Sequence, residues 1–381
     1  MKSNYKQLGE YIRQVDERNK SLMIDNLLGV SIEKRFIPSI ANIVGTDLSS
    51  YKIVRTGQFA YGPVTSRNGE KISIAYLDGE DCIISSSYTV FEVAKKDELD
   101  SEYLMLWFSR PEFDRYARYK SHGSVREIFD WNELCMVELP VPPIEEQRKI
   151  VQAYKTITNR IELKKKINDN LEDLLTTTFK QMFVDDDSVV FSTKKLKDIT
   201  MTIDNRGKTP PNDSTETPYP LIEIASLRTD GRIATYRNCS KYVSEETYNN
   251  WFRSGHPIEK DILMSTVGSL AELKLFWGDK GSIAQNIVAF RCHNKHMPMY
   301  LYQYLLRKQH ELAAYEIGSV QASIKVSQVV EYDIDIPADD LLEKFDKIAT
   351  SITEQIYINE ADIDVCHRIC SAQLQQLSAS N

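Results

Sequence analysis

From Pro143 onward, apolar side chains recur at alternating spacings of four and three. The series runs Ile150, Tyr154, Ile157, Ile161, then the polar Lys164 and Asn168, then Leu171, Leu175, Thr178 and Met182. A seam sustained over more than four heptads predicts a long helix with a partner along one face. Pro142-Pro143 marks its start, and Glu145 and Glu146 fall in the first turn, where the helix dipole favours acids. A second series runs Ile348, Ile352, Ile356, Asn359, Ile363, Cys366, Cys370 and Leu377, in the register of the first from Ile157/Ile352 to Leu171/Cys366. Each helix is ~40 residues, or roughly 60 Å long. Asn359 interrupts the second seam as Lys164 and Asn168 interrupt the first. A buried polar position can fix register and orientation at some cost in stability. Two such helices in one chain can pair antiparallel, with a globular module at either end of the rod. The plainer alternative is that each helix packs on its own module.

The rest of the chain is also written twice. Leu8-Gly9-Glu10-Tyr11-Ile12 leading to Val15-Asp16-Glu17-Arg18 is echoed by Leu196-Lys197-Asp198-Ile199-Thr200 leading to Ile203-Asp204-Asn205-Arg206. The buried-strand pattern Asp81-Cys82-Ile83-Ile84-Ser85-Ser86 is paralleled by Asp261-Ile262-Leu263-Met264-Ser265-Thr266. An aromatic helix from Tyr103 to Phe108 precedes Gly123-Ser124-Val125-Arg126, as one from Tyr300 to Leu305 precedes Gly318-Ser319-Val320-Gln321. Glu138-Leu139-Pro140-Val141-Pro142-Pro143 matches Asp333-Ile334-Asp335-Ile336-Pro337, and a long helix follows each. A repeat this long is a duplicated module rather than a solenoid. It predicts an α+β protein: two globular α/β domains, 1–143 and 184–340, separated by helices at 144–183 and 341–381 that form an antiparallel coiled coil.

Composition narrows the class. Hydrophobic residues at 42% and charged residues at 27% exclude a wholly disordered chain of 381 residues. No run approaches ~18 apolar residues, and Met1-Lys2-Ser3-Asn4-Tyr5-Lys6 is not an apolar signal, so a cytoplasmic protein is expected. Six scattered cysteines point to reduced thiols rather than a disulfide framework. The net charge of −8 argues mildly against nucleic acid, so any DNA contact must use local basic loops or shared neutralisation by a partner.

Leu139-Pro140-Val141-Pro142-Pro143-Ile144-Glu145-Glu146-Gln147, followed by Arg148-Lys149-Ile150-Val151 and by Asn170-Leu171-Glu172-Asp173-Leu174-Leu175, resembles the central conserved region of a known family. With the duplication and the paired seams, nearly the whole chain resembles the specificity (S) subunit of type I restriction–modification systems. The resemblance implies two target recognition domains, each reading half of a bipartite DNA sequence, and a coiled coil that sets their spacing. It implies no catalysis and no cofactor in the chain itself. The implied partners are double-stranded DNA, two methylation subunits using S-adenosylmethionine, and restriction subunits using ATP and Mg2+. Glu145, Glu146, Gln147 and Arg148 become candidate partner contacts. The second copy departs from the pattern, since Pro337-Ala338-Asp339-Asp340-Leu341-Leu342 lacks the Glu-Glu-Gln string.

A base-reading domain needs paired donors and acceptors in loops flanked by phosphate contacts. In the second half, the loop Asp204–Asn212 offers Arg206, Lys208 and Thr209, and the turn Ser226–Arg232 offers Arg228 and Arg232. Gln285 and Asn286 add amides able to pair with adenine. Residues 194–241 hold nine Lys/Arg against six Asp/Glu, a local basic excess. In the first half the candidates are Arg67 and Asn68, Ser87, and Lys120, Ser124 and Arg126. Each of these residues has the alternative role of a solvated loop position.

Catalytic motifs do not assemble. Pro142-Pro143 follows Val141, not the Asn or Asp of an adenine methyltransferase motif, and Thr202 stands where a P-loop ending in Gly207-Lys208-Thr209 needs its first glycine. Asp261 with Glu272-Leu273-Lys274 loosely resembles a nuclease metal site, and defines one competing reading. Cys366-His367 with Cys370, and Cys292-His293 with His296, lack zinc-finger spacing, and Cys366 and Cys370 already serve the seam. The other competing reading is a coiled-coil scaffold without base contacts.

Overall fold

The computed structural model describes residues 5–39, 45–66, 68–122, 127–234, 239–278, 280–317 and 322–379. The chain divides into two compact units, Met1–Arg160 with Cys366–Asn381, and Ile161–Val365. The division therefore falls within the two long helices, Ile144–Phe183 and Asp339–Ala379, rather than at their ends. The second of these starts two residues before the expected 341.

The strands of the first unit are β1 (Tyr5–Gln7), β2 (Ile12–Val15), β3 (Leu28–Val30), β4 (Phe36–Pro38), β5 (Lys52–Val54), β6 (Phe59–Tyr61), β7 (Ile74–Tyr76), β8 (Cys82–Ile84), β9 (Thr89–Val93) and β10 (Glu138–Pro140). An antiparallel sheet in the order β2, β9, β6, β7 forms the centre. Successive side chains of a strand point to opposite faces, and here both faces are apolar. Phe59, Tyr61, Ile74 and Phe91 enter an aromatic core beneath the helix Ser101–Phe108. Ala60, Ala75 and Val90 enter a smaller core with Val54, Cys82 and Ile84 of the β5–β8 pair. Asp100 caps that helix by accepting from the Glu102 and Tyr103 amides. Gly9 lies so near Cys135 that a β-carbon would meet the Cys135 β-carbon at 2.9 Å. Val151 and Leu377 complete the aromatic core, with Ile150, Tyr154 and Leu374 against it.

The second unit adds β11 (Ser192–Lys195), β12 (Thr200–Ile203), β13 (Leu221–Ile222), β14 (Ile262–Ser265), β15 (Leu273–Leu275), β16 (Ser282–Ile283), β17 (Ile287–Cys292), β18 (Glu316–Ile317), β19 (Ser323–Ile324) and β20 (Asp333–Ile336). Its sheet runs in the order β12, β17, β14, β15, also antiparallel. Met264, Val288 and Phe290 face a core with Tyr300, Leu301 and Leu305 of the helix Pro298–Arg307, and with Leu175, Phe179 and Phe345 of the long helices. Leu263, Ile287 and Ala289 face a second core with Ile222 and Ile283.

Strand order corrects one of the sequence echoes. β14 holds the place that β6 holds in the first sheet, whereas β8 lies outside that sheet and pairs with β5. Cys82–Ile84 and Ile262–Ser265 look alike because both are fully buried apolar strands preceded by Asp. An apolar run encodes burial, not its hydrogen-bonding neighbour.

Within the second unit the long helices run in opposite directions, with Lys164 beside Asp362 at 2.8 Å and the Phe179 and Phe345 rings 5.6 Å apart. The polar interruptions of the two seams meet each other. Asn359 Nδ2 donates to Asn168 Oδ1 at 2.8 Å, and Lys164 Nζ donates to Asn359 Oδ1 at 3.0 Å. Asn168 Nδ2 also donates to Glu360 Oε1 at 3.1 Å. Burying these amides is tolerated because their hydrogen bonds are made.

Candidate nucleic-acid interface

In the second sheet Ile203 lies opposite Ala289, and Ser265 opposite Ile287. The segments after β12, before β17 and after β14 therefore emerge at one end of the sheet. Those segments carry Asp204–Asn212, Gln285-Asn286, and Thr266–Ala271. In the first sheet Val15 lies opposite Val90, and Tyr61 lies opposite Thr89 and Ile74. The corresponding end carries Asp16–Arg18, Ser85–Tyr88 and the connection from Gly62 to Ser73. Each unit thus gathers its polar loops at the same end of the same strand order.

At the second unit's end, Asn205 is buried and ties two loops together. Its Oδ1 accepts from the Ser254 amide at 2.9 Å, and its Nδ2 donates to the Gly255 carbonyl at 2.8 Å. Ser254 Oγ donates to the Asp204 carbonyl at 2.7 Å, and Arg253 Nη2 to the Arg206 carbonyl at 2.6 Å. Gly207, at φ +125, turns the chain where a side chain would be strained. Arg206 pairs with Asp204 through Nε at 2.9 Å and Nη2 at 2.7 Å. Hydrogen bonding to Arg206 holds the Asp204 carboxyl below its ordinary pKa, so Asp204 stays charged. Lys208 and Thr209 are exposed, and Thr209 donates to Gln285 Oε1 at 2.5 Å. Asn286 is half-buried; its carbonyl accepts from the Thr266 amide at 2.8 Å, while its side-chain Oδ1 has no hydrogen-bond partner among the described residues. Arg228 is exposed and donates through Nε to Ser269 Oγ at 2.5 Å.

Arg232 is a correction. It is 1% exposed, so it cannot meet DNA. Its guanidinium donates to Glu172 at 3.0 Å, Thr353 at 3.2 Å and Gln303 at 3.1 Å, joining the unit's interior to both long helices. Lys274 is likewise internal: its ammonium binds the Thr229 carbonyl at 2.5 Å and the Gly231 carbonyl, and so clamps the turn that carries Arg228 and Arg232.

In the first unit, Asn68 is half-buried and its Nδ2 donates to the Val64 carbonyl at 3.3 Å. Ser87 is exposed and shares a hydrogen bond with Ser85. Lys120 is half-exposed beside Glu133 at 3.3 Å, which cancels part of its charge. Arg67, Ser124 and Arg126, like Gly318–Gln321, lie outside the described residues. Two cations went unread in the sequence. Arg253 lacks a motif, but Arg18 was visible as the echo of Arg206. Arg18 pairs with Asp16 at 2.8 Å and donates through Nη1 to the Ser50 carbonyl at 2.8 Å.

At the entry to the first long helix, Glu145, Glu146 and Arg148 are exposed, with Arg148 and Glu145 paired at 2.9 Å. Gln147 is the second correction: it is fully buried. Its Nε2 donates to the Glu98 and Pro142 carbonyls, both at 2.7 Å, and its Oε1 accepts from the Asp100 amide at 2.9 Å. Its hydrogen bonds tie the helix entry to the preceding domain and leave it no outer surface.

The nuclease-like trio does not converge. Asp261 is held by Arg291 through Nη2 at 2.8 Å and by the Ile258 amide, and burial raises its pKa against the lowering effect of Arg291. Lys274 faces carbonyls instead. No group of three or more potential metal ligands occurs among the described residues. His296 bonds Asp346 at 3.2 Å, and Cys366 and Cys370 are buried thiols. No helix of the described residues is long and apolar enough to cross a membrane.

A family model for the type I restriction modification DNA specificity domain matches residues 42–173 and 189–360. The specificity subunit of the type I restriction enzyme MjaIX of Methanocaldococcus jannaschii is 25% identical over 320 residues, covering 75% of this chain and 70% of that protein. The specificity subunit of the type I restriction enzyme HindI of Haemophilus influenzae is 23% identical over 198 residues, covering 50% of this chain and 43% of that protein. The crystal structure of a type I restriction–modification S subunit from M. genitalium aligns over 98% of this chain and 95% of its own, with a TM-score of 0.61 and 12% identity. That last likeness is one of fold alone.

Proposed function

The chain belongs to the type I restriction modification DNA specificity family, and on that premise we propose that it is a non-catalytic specificity subunit whose two units each read half of a bipartite DNA target. The observation that carries this reading is the repeated strand order with polar loops gathered at the same end of both sheets. Repeating one module suits a protein that performs one task on two similar targets.

On this reading the chain positions two methylation subunits over an adenine in each half-site, and restriction subunits join the same assembly. S-adenosylmethionine, ATP and Mg2+ enter with those partners. The exposed Glu145, Glu146 and Arg148 are the partner contacts. The long helices form an antiparallel coiled coil that sets the spacer, with half-site centres about one turn of DNA or slightly more apart. The Asn168–Asn359 pair fits a device that fixes register. Phosphate contacts from the loop cations make affinity fall with salt.

Exchanging residues 184–340 for those of another specificity subunit tests the proposal. One half of the methylated sequence should change and the other should persist. A sequence that stays unchanged would favour the scaffold, the reading that the net charge of −8 suits better.

A further inference from the structure

An Asp-x-Arg triplet leaves the edge strand in both units: Asp16-Glu17-Arg18 after β2 and Asp204-Asn205-Arg206 after β12. In each, the arginine folds back onto the aspartate two residues earlier. The two differ in what remains free. Arg18 spends Nη1 on the Ser50 carbonyl and Nη2 on Asp16. Arg206 gives its Nε–Nη2 side to Asp204, and among the described residues its Nη1 makes no hydrogen bond. A guanidinium carries five donors in a planar fork. With one side clamped, the outer Nη1–Nη2 edge presents two parallel donors, the pattern that matches guanine O6 and N7 in the major groove.

We propose that Asp204 and Arg206 form a guanine reader, Asp204 holding the guanidinium side-on while the outer edge of Arg206 donates to O6 and N7 of one guanine in the half-site of the second unit. The inference rests on the DNA-recognition reading above. Arg206 is the base-contacting residue, and Asp204 and Asn205 are positioning residues. Asn205 fixes the loop through Ser254 and Gly255. Charge separates this role from phosphate binding. The Asp204–Arg206 pair is close to neutral, and its carboxylate would repel a phosphate, whereas a base edge has no net charge. Lys208 on the same loop is exposed and has no acid partner among the described residues, so it suits a phosphate, and the exposed Arg253 brings a second positive charge near the Asp204 carboxylate. Arg18, with its second nitrogen committed to the backbone, is not such a reader.

The test uses the assembled complex of this chain with its methylation partner, as wild type and as Arg206→Ala, Arg206→Lys and Asp204→Asn. Each selects from a pool of randomised double-stranded DNA, which is then sequenced. The half-site of the second unit is assigned by the exchange of residues 184–340. Wild type should enrich a G·C pair at one position of that half-site. Arg206→Ala and Arg206→Lys should make that position degenerate, losing roughly 10- to 100-fold discrimination. The half-site of the first unit should persist in every variant, which also shows that the complex has folded. Asp204→Asn should weaken the preference at that position alone. Replacing that guanine by 7-deazaguanine should weaken wild type and leave Arg206→Ala unaffected. A motif indifferent to Arg206, or a uniform affinity loss with the salt slope reduced by about one, would overturn the guanine reader while leaving the family reading intact. A wild-type complex that enriches no sequence would overturn both.

Discussion

Replacing Arg232 by alanine separates the two roles that its position in a basic turn could support. Its side chain is 1% exposed, and it bonds Glu172 on one long helix, Thr353 on the other, and Gln303 of the helix Pro298–Arg307. Removing one partner of a buried ion pair costs about 3–5 kcal/mol, because the other charge is left uncompensated. Glu172 keeps 26% side-chain exposure and the nearby Lys274 ammonium, so water and that cation recover part of the cost. The lower end, about 3 kcal/mol, is therefore expected. For a unit of roughly 200 residues, each kcal/mol moves the melting temperature by about 2–4 °C, so Arg232→Ala should lower it by about 6–12 °C. Arg232→Met with Glu172→Met should recover most of the loss, since apolar replacements of similar volume often substitute for a buried pair. Thermal unfolding followed by circular dichroism and by calorimetry measures both. A drop below about 2 °C together with weakened DNA binding would refute the reasoning and return Arg232 to the DNA surface.

Asn168→Leu leaves Asn359 Nδ2 without its acceptor and should cost about 1–3 kcal/mol in urea unfolding; adding Asn359→Leu should restore stability, and a double variant weaker than both singles would contradict that coupling. Gly9→Ala should destabilise the first unit by about 1–3 kcal/mol, since its β-carbon would sit 2.9 Å from that of Cys135. Gly79→Ala, with open space around it, is the near-neutral control in the same melting experiment. Burial pushes the His256 imidazole below its ordinary pKa, against a Tyr248 ring stacked at 3.7 Å. The neutral ring therefore contributes stability above the unfolded-state value of about 6.5 that is lost as pH falls below it. His256→Asn should flatten that part of the stability profile, and an unchanged slope would show that another group is responsible.

The long helices were legible because one period persists over about forty residues. The polar breaks at Lys164, Asn168 and Asn359 were legible for the same reason, since they stand at seam positions. What the pattern could not supply was neighbour identity. Cys82–Ile84 and Ile262–Ser265 carry the same burial signal, yet only the latter is in the central sheet. Arg228 and Arg232 are four residues apart on one turn, but the Lys274 clamp and the Glu172 carboxylate draw the second inward. Both of those partners are distant in sequence. Gln147 read as an outward contact within a polar string, whereas the backbone groups it satisfies belong to residues 98, 100 and 142. Arg253 joined the candidate interface through Arg206, a contact that the spacing of residues does not encode. Asp16 and Arg18 are the exception, since their echo of Asp204 and Arg206 lies in the sequence itself.

The central claim, that this chain chooses the DNA sequence for its methylation partner, is tested most directly by mapping adenine methylation genome-wide with and without its gene. The account expects one bipartite methylated motif to vanish on deletion and to return on complementation. A methylome that stays unchanged, in a strain shown to express the methylation partner, would contradict it.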